Sequence, residues 1–373
     1  MKRKNQQILW RILVFFAIVT AFFYLLIAAA MPKYKASSTP EEIAGTDLSR
    51  DYICLSSEHA ERYPGRLYGQ EDFAEGRTDR GDPDEKYETC RILLALKPGK
   101  TYGITGQTAT YAQRVYVNGE LLNETGTVGD APSGFVPRTD LYTVYFTPQE
   151  EETEIIVQHA WFNHERGALH RLFLAEQQVI TRTERAQDLC DGLVAGTLLA
   201  MSIFFFGMFL FHLSSYAMLW FSLSSLCAAL NYLLYESKQI MTLFPQLSWY
   251  ACHKTELLTN IYYFLFAALF AFSILQWRPP KWFSIFSVCF AGALTVFYLL
   301  APSTFYTGYT VFVGAGMLLY EVLTVAILLW MCVRRKKLCQ IEHLIVCLSL
   351  LLVLIVYAIE GLTYFSHIFY LRA

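Results

Sequence analysis

Seven stretches of the chain are apolar over roughly the length that a helix needs to cross a bilayer. They cover residues 12–31, 193–213, 217–235, 257–275, 283–301, 310–333 and 344–365. A spanning helix needs about twenty apolar residues, because backbone groups in lipid must bond within their own segment. The sequence therefore predicts a multi-pass membrane protein, with the lipid bilayer as a partner.

Basic residues are unevenly distributed among the loops between these stretches. Arg278, Lys281 and the basic run at 334–337 fall on one side, whereas the other side carries only Lys238 and Lys254. Because Lys and Arg accumulate in cytoplasmic loops, the first group is predicted inside and residues 32–188 outside. Residues 1–31, with a basic start, fit either an uncleaved anchor or a signal peptide.

The segment between the first two stretches has the composition of a soluble domain. Residues 32–188 hold 17 Lys and Arg against 26 Asp and Glu, a net charge of −9. An acidic balance argues against nucleic acid, which needs clustered Lys and Arg. We therefore divide the chain into residues 1–31, an extracytoplasmic domain at 32–188 and a helix bundle of six spans at 189–373.

Short runs typical of β-strands fill this soluble segment from residue 87 onward. We expect strands at 90–96, 102–106, 113–117, 120–122, 141–146, 154–158 and 169–179. Asn118-Gly119 predicts a two-residue hairpin turn, because type I′ turns need positive φ at both positions. The pattern favours an antiparallel β-sandwich of jelly-roll type. Residues 58–88 read as a long loop with one strand around 66–68.

Several motifs resemble one bacterial receptor family. They are the segments at 116–121, 126–129 and 157–169, and in the membrane half 216–235, 243–247 and Glu256. Together they resemble the seven-transmembrane receptors with diverse intracellular signalling modules, over residues 96–365. The resemblance implies a galactose-binding-like extracellular sandwich, a sensory rather than enzymatic role, and a cytoplasmic signalling domain or partner. Ala168 and His170 depart from the family pattern, so the same ligand does not follow.

The C-terminal end of the sequence bears on whether the chain includes the signalling output domain that the resemblance implies. Residues 368–371 begin another apolar stretch, and the sequence stops at Ala373. We expect a fragment that lacks one helix and the output domain. The sequence leaves open whether the protein forms a homodimer. An alternative class is a transporter or membrane-embedded enzyme with an accessory carbohydrate-binding domain, although neither internal repeats nor helices interrupted by Gly or Pro are evident.

The segment 161–170 mixes aromatic, amide, imidazole and guanidinium groups. An extracellular carbohydrate or carboxylate ligand needs an apolar surface and convergent donors. The candidate ligand-binding residues are Trp161, Asn163, His164, Arg166 and His170, together with Arg138 and Tyr116. Core packing and turn formation are the alternative explanation for residues 161–170, core packing for Tyr116, and a solvated surface position for Arg138. Histidines and Glu165 in this region match no familiar metal-ligand spacing, and we predict no metal or other cofactor.

Polar residues inside the predicted spans form a second candidate set. They are Glu256, Glu321, Glu360 and Asn231. Ionisable groups in a membrane are costly, so they are either relay residues or partners in hydrogen bonds between helices. No catalytic motif is present, and we predict no enzymatic activity in this chain.

Overall fold

The structure, a computed structural model, consists of an N-terminal β domain followed by a helical domain. It describes residues 46–56, 59–108, 111–164, 171–213 and 215–335, with short pieces at 14, 34–35, 345–346, 348–350 and 352. The predicted first and last spans, 12–31 and 344–365, lie almost wholly outside the described residues.

Among the described residues, ten strands form two five-stranded sheets that face each other. The strands are β1 Tyr34–Lys35, β2 Tyr52–Leu55, β3 Glu61–Pro64, β4 Tyr87–Ala95, β5 Tyr102–Thr108, β6 Ala112–Val117, β7 Glu120–Thr125, β8 Asp140–Phe146, β9 Glu152–Ala160 and β10 Leu172–Glu176. Sheet A has the order β1-β2-β10-β5-β8, and sheet B has the order β3-β4-β9-β6-β7. The pairs β2·β10, β4·β9, β5·β8 and β6·β7 are nested and alternate between the sheets, which is the jelly-roll arrangement. The predicted sandwich is confirmed.

Alternating apolar residues explain the core between the sheets. Ile92 and Leu94 on β4 are buried, whereas Leu93 between them is 42% exposed. The β6–β7 hairpin turns at Asn118-Gly119, whose φ angles are +47° and +82°. Both are positive, as a type I′ turn requires, so the predicted hairpin is confirmed.

The outer face of sheet B is covered by the segment predicted as a long loop. That segment contains β3 and a short helix, α1 (Gln70–Ala74). Residues 66–68 do not form a strand, so the prediction of a strand there is wrong. Tyr68 ties the segment to the sheet: its amide donates to Thr89 Oγ1 at 2.9 Å, and its carbonyl accepts from Gln158 Nε2 at 3.0 Å. The central strand of sheet B, β9, is therefore buried on both faces.

The helical domain follows β10 without a linker. Its helices are α2 Gln177–Phe211, α3 Tyr216–Asn231, α4 Gln239–Leu243, α5 Trp249–Ile274, α6 Lys281–Leu300, α7 Ser303–Gly308 and α8 Thr310–Arg334. Five of the described segments are long and apolar enough to cross a membrane, namely α2, α3 with the following turn, α5, α6 and α8. They match five of the predicted spans.

Helix α2 begins earlier than the sequence suggested. The strand predicted at 169–179 ends at Glu176, and helix begins at Gln177. The first turns pack on sheet A: Ile180 is buried against Tyr52 and Ala175, and Glu184 accepts hydrogen bonds from Thr143 and Tyr145. The charged residues of these turns lowered the local hydropathy, which hid the helix start. One helix thus runs from the sandwich into the bundle.

The bundle presents opposite ends to the sandwich and to the basic loops. Lys254, in the second turn of α5, donates to the carbonyl of Leu299 at the end of α6, on the sandwich side. Arg335 lies 5.0 Å above the ring of Trp277 at the other end. The basic residues of this set that the structure describes, namely Arg278, Lys281, Arg334 and Arg335, therefore lie at the end away from the sandwich.

Two cysteines of the sandwich are separate in the structure. Cys54 lies in β2 and Cys90 in β4, and both are buried free thiols. Burial raises the pKa of both thiols. Each is therefore a small apolar core residue.

Candidate functional site

A tryptophan of the helical domain is lodged in the sandwich. Trp249, the first residue of α5, is only 3% exposed. Its Nε1 donates to Thr139 Oγ1 at 3.0 Å, and its ring lies 6.4 Å from the ring of His164 and 4.8 Å from that of His253. A tryptophan indole N–H needs an acceptor when it is buried, and here the sandwich supplies it. Trp249 therefore joins the two domains directly.

The start of the predicted recognition segment forms the sandwich side of this contact. Residues 161–164 form a turn closed by a bond from the His164 amide to the Trp161 carbonyl. Lys86 Nζ donates to the His164 carbonyl at 2.7 Å, and this fixes the turn. Trp161 and Asn163 are 7% and 2% exposed, so both side chains pack inside the protein. His164 is the member of this turn that contacts Trp249.

Arg138 lies beside the same contact. Its amide donates to the carbonyl of Tyr111, whose ring packs against His159 and His164. Its nearest carboxylate is Asp140, with 3.7 Å between Arg138 Nε and Asp140 Oδ2. That distance exceeds a normal N–H···O hydrogen bond, and the buried Nε has no acceptor among the described residues. Burial raises the pKa of Asp140, and the charge of Arg138 opposes that rise.

A cleft of about 690 Å³ opens between the two domains at this point, and we call it the interface cleft. The sandwich contributes Glu124, Arg138 and Asp140, and the segment leading into α5 contributes Ser248, Trp249 and Tyr250. Tyr250 is 43% exposed, so its ring is accessible from the cleft. The volume falls within the range of small-molecule sites.

Other predicted ligand residues are placed differently. Tyr116 is half-buried in β6, four residues along the strand from Ala112. Ala112 pairs with Ala160, just before the turn, so Tyr116 lies about 13 Å along the strand from that end. Arg166 and His170 lie outside the described residues. The structure therefore brings together Trp161, Asn163, His164 and Arg138 from the predicted set.

A buried ionic cluster in sheet B was missed by the sequence analysis. Glu88 is fully buried, Arg62 Nη2 donates to its two oxygens at 3.0 and 2.8 Å, and His159 Nε2 lies 3.0 Å from Oε1. Burial raises the pKa of Glu88, but the hydrogen bond and charge of His159 and the charge of Arg62 outweigh it, so the net pKa is lowered. No short motif links residues 62, 88 and 159, because strand pairing alone brings them together.

The same cluster has three groups that metals favour. The ligand atoms of Glu88, Cys90 and His159 lie within 4.8 Å of one another, and all three residues are buried. Arg62 already occupies the carboxylate of Glu88, and burial raises the pKa of the Cys90 thiol. A cation there would meet a guanidinium and a protonated thiol. The arrangement is that of a structural ion pair.

Polar groups of the helical domain line up beneath Trp249. Asn231 Nδ2 donates to the carbonyl of Glu256 at 3.1 Å, which joins α3 to α5. His253 Nδ1 lies 3.3 Å from the carboxylate of Glu256, and the His253 ring stacks on Trp249. Asn231 and Glu256, two of the predicted intramembrane residues, thus share one hydrogen bond between helices, directly below the contact between the domains.

Glu321 and Glu360 belong to the deeper part of the predicted set. Glu321 is 4% exposed in α8, and its Oε2 has no hydrogen-bond partner among the described residues. Glu360 lies outside them. Glu321 is therefore an ionisable group buried inside the bundle, a costly arrangement that marks it as a functional candidate.

The helical domain matches the model of a known protein family. Residues 187–371 match the family model for 7TM diverse intracellular signalling. The helical domain belongs to this family. The resemblance noted from the sequence is confirmed: the family is a sensory receptor domain rather than an enzyme, and the chain is a multi-pass membrane protein.

Solved structures resemble the chain at low identity. A family 35 carbohydrate-binding module from Clostridium thermocellum matches 33% of this chain and 95% of its own, at 11% identity and a TM-score of 0.20. The insecticidal δ-endotoxin Cry8Ea1 from Bacillus thuringiensis matches 34% of this chain and 24% of its own, at 11% identity and a TM-score of 0.21. Insecticidal crystal protein Cry2Aa matches 36% and 22%, at 10% identity and a TM-score of 0.23. No curated protein matches the chain. Ligand specificity does not follow from likenesses at such scores.

Proposed function

We propose that this protein is the sensing and relay part of a membrane receptor. The sandwich lies outside the cytoplasm and binds a small ligand, a carbohydrate or a carboxylate. The helix bundle carries the resulting change to a cytoplasmic output domain or partner. The family match of residues 187–371 supports the receptor class.

The observation that carries the proposal is the position of Trp249. It is the first residue of a membrane-length helix, yet its indole is bonded to Thr139 and packed against His164 in the sandwich. A ligand that moves the turn at 161–164 or Arg138 also changes the surroundings of this side chain. Helix α5 then receives the change without an intervening flexible linker.

The polar groups below Trp249 give the change a route into the bundle. His253 stacks on Trp249 and pairs with Glu256, and the Glu256 carbonyl accepts from Asn231 on α3. Displacing the first turn of α5 alters both of these contacts. A ligand shifts the bundle only by its difference in affinity for the two arrangements, so about 1.4 kcal/mol of difference changes their ratio tenfold.

Hydrogen exchange on the full chain in lipid nanodiscs tests the proposal. D-galactose, D-glucose, D-glucuronate and L-lactate are screened first by the shift in melting temperature. With a ligand that raises it, we expect altered amide exchange in α3 and α5 as well as in the sandwich. At a ligand concentration that saturates the variant, Trp249→Ala should retain the exchange change in the sandwich and show a smaller change in the helices.

The matched control is Trp282→Ala, which removes a tryptophan that is 56% exposed on α6. This variant should behave like the parent. If ligand alters exchange in the sandwich alone, in parent and both variants, then the bundle does not relay the signal and the proposal is wrong.

A further inference from the structure

The interface cleft contains an unsatisfied cationic donor, and this observation narrows the ligand class. Arg138 Nε is buried and has no acceptor among the described residues, while its ion pair with Asp140 is 3.7 Å long. A buried donor without an acceptor is costly, so a ligand oxygen at this position removes a penalty that the unliganded protein carries. Guanidinium groups bind carboxylates through two parallel hydrogen bonds.

The other charges around the cleft favour an anion over a metal cation. Glu124 lines the cleft, but Arg114 Nε already donates to it at 2.8 Å. Arg138 is the basic residue among the described side chains that line the cleft, and it would repel a cation bound beside Asp140. Among the charged side chains that line the cleft, Arg138 is therefore the one with a buried donor atom that has no acceptor among the described residues.

The remaining lining groups suit a hydroxylated molecule. Asp140 lies next to Arg138 and can accept from a ligand hydroxyl, and Ser248 and Tyr250 stand on the opposite wall. Tyr250 exposes 43% of its surface, which leaves part of the ring for contact with the apolar face of a ligand. Few polar groups around an aromatic surface are typical of small-molecule sites.

We propose that the interface cleft binds a small hydroxycarboxylate, with Arg138 holding its carboxylate and Asp140 accepting from a neighbouring hydroxyl. This inference rests on the proposed receptor function and assigns the ligand to a place shared by both domains. The ligand touches the sandwich through Arg138 and the start of α5 through Ser248 and Tyr250. Binding and the relay to α5 then occur at one site.

Calorimetry on the full chain in nanodiscs tests the ligand class with matched pairs. D-glucuronate, D-gluconate and L-lactate are each compared with a neutral counterpart, namely D-glucose, D-sorbitol and propane-1,2-diol. We expect at least one acid to bind at least tenfold more tightly than its neutral counterpart. Equal affinities within every pair, or no binding by any acid, would overturn the inference.

Two variants locate the site. Arg138→Gln should weaken binding of the acid by about ten- to hundredfold, the usual loss for a hydrogen bond to a charged group. Arg50→Gln is the control, because the Arg50 side chain is 84% exposed and lies outside the cleft. If Arg138→Gln does not fold, Tyr250→Ala tests the opposite wall and should weaken binding as well. Unchanged affinity in the folded cleft variants would place the ligand elsewhere and contradict the inference.

Failure of this inference differs from failure of the receptor proposal. A neutral sugar that binds independently of Arg138 and alters exchange in α3 and α5 would reject the cleft and retain the receptor. A hydroxycarboxylate that needs Arg138 but leaves the exchange of the helices unchanged would retain the cleft and reject the relay.

Discussion

At the scale of single residues, the contact between Trp249 and Thr139 is polar, buried and shared by two domains. The two residues are 110 positions apart in the sequence. A buried indole that loses its acceptor pays a desolvation penalty, so removing either partner should weaken the same interaction. This makes the pair suitable for a double-mutant cycle.

We expect Thr139→Val to cost about 1–3 kcal/mol, because the buried indole N–H loses its acceptor, and Trp249→Phe to cost more, because it also removes part of a buried ring. The double variant should cost less than the sum of the two, because both changes remove one bond. Thermal unfolding of the full chain in detergent measures the three differences. Strict additivity would show that the hydrogen bond contributes nothing to the docking.

The ionic cluster at Glu88 leads to a prediction about pH. The pKa of Glu88 is lowered in the folded protein. The charge of Glu88 therefore stabilises the fold at any pH above about 4.3, which is the pKa of Glu in an unfolded chain. That contribution is lost as pH falls through the lower, folded-state pKa. Glu88→Gln should therefore lower the melting temperature at pH 7, and the difference from the parent should shrink in acid below pH about 4.

The control for Glu88 is Glu150→Gln, an exposed carboxylate in the turn between β8 and β9. The melting temperature of this variant should equal that of the parent at every pH. A difference between Glu88→Gln and the parent that stays constant from pH 7 to pH 3 would contradict the assignment of this carboxylate as ionised in the fold.

At the scale of secondary structure, the turn between β6 and β7 shows how local chemistry sets an element. Gly119 has φ +82°, and a Cβ there would lie 1.9 Å from Gln70 Oε1 on α1. Gly99 has φ +76° with open space around it. Comparing alanine substitutions at the two glycines therefore separates the energetic cost of a left-handed backbone from the cost of a steric clash.

Gly99→Ala should cost about 1–2 kcal/mol, because a Cβ disfavours left-handed backbone. Gly119→Ala should cost more, since Gln70 must also move. Adding Gln70→Ala should reduce the cost of Gly119→Ala to that of Gly99→Ala. Thermal melts of Gly99→Ala, Gly119→Ala, Gln70→Ala and the double variant measure this. Equal costs for the two single glycine variants would show that α1 does not pack on the hairpin.

Elements set by local patterns were predictable, and those set by distant contacts were not. The Asn118-Gly119 hairpin and five apolar helices followed from turn chemistry and hydropathy. The start of α5 at Trp249 rather than near 257 did not, because polar residues such as His253 and Glu256 lower the hydropathy of its first turns. These residues also contact Tyr306 on α7 and Asn231 on α3, and the sequence pattern contains no sign of those contacts.

The candidate site was predictable in part for the same reason. The mixed chemistry of residues 161–170 and the isolated Arg138 indicated a recognition region from sequence. The burial of Trp161 and the docking of Trp249 depend on how the sandwich and the bundle meet, which is a long-range property. Nor does any spacing rule connect Arg62, Glu88 and His159, because cross-strand register brings them together.

At the scale of the whole molecule, the described basic residues at 278, 281, 334 and 335 and the sandwich lie at opposite ends of the bundle. In a cysteine-free background, Ser133→Cys should react with an impermeant thiol reagent on intact cells. Lys281→Cys should react only after the membrane is opened, because basic loops are retained in the cytoplasm. Both positions are exposed in the structure. The reverse labelling pattern would contradict the orientation.

The central claim is that a ligand outside alters the bundle through Trp249. The distance between spin labels at Ser133, in the sandwich, and Lys281, at the far end of the bundle, reports this change. Helix α5, which runs between those two ends, is about 39 Å long. In nanodiscs, the account predicts that a bound ligand shifts the distance distribution of the parent. It predicts a smaller shift for Trp249→Ala, measured at a ligand concentration that saturates the variant, because Trp249 also lines the cleft. Identical distributions with and without ligand in the parent, while calorimetry shows the site filled, would contradict the account.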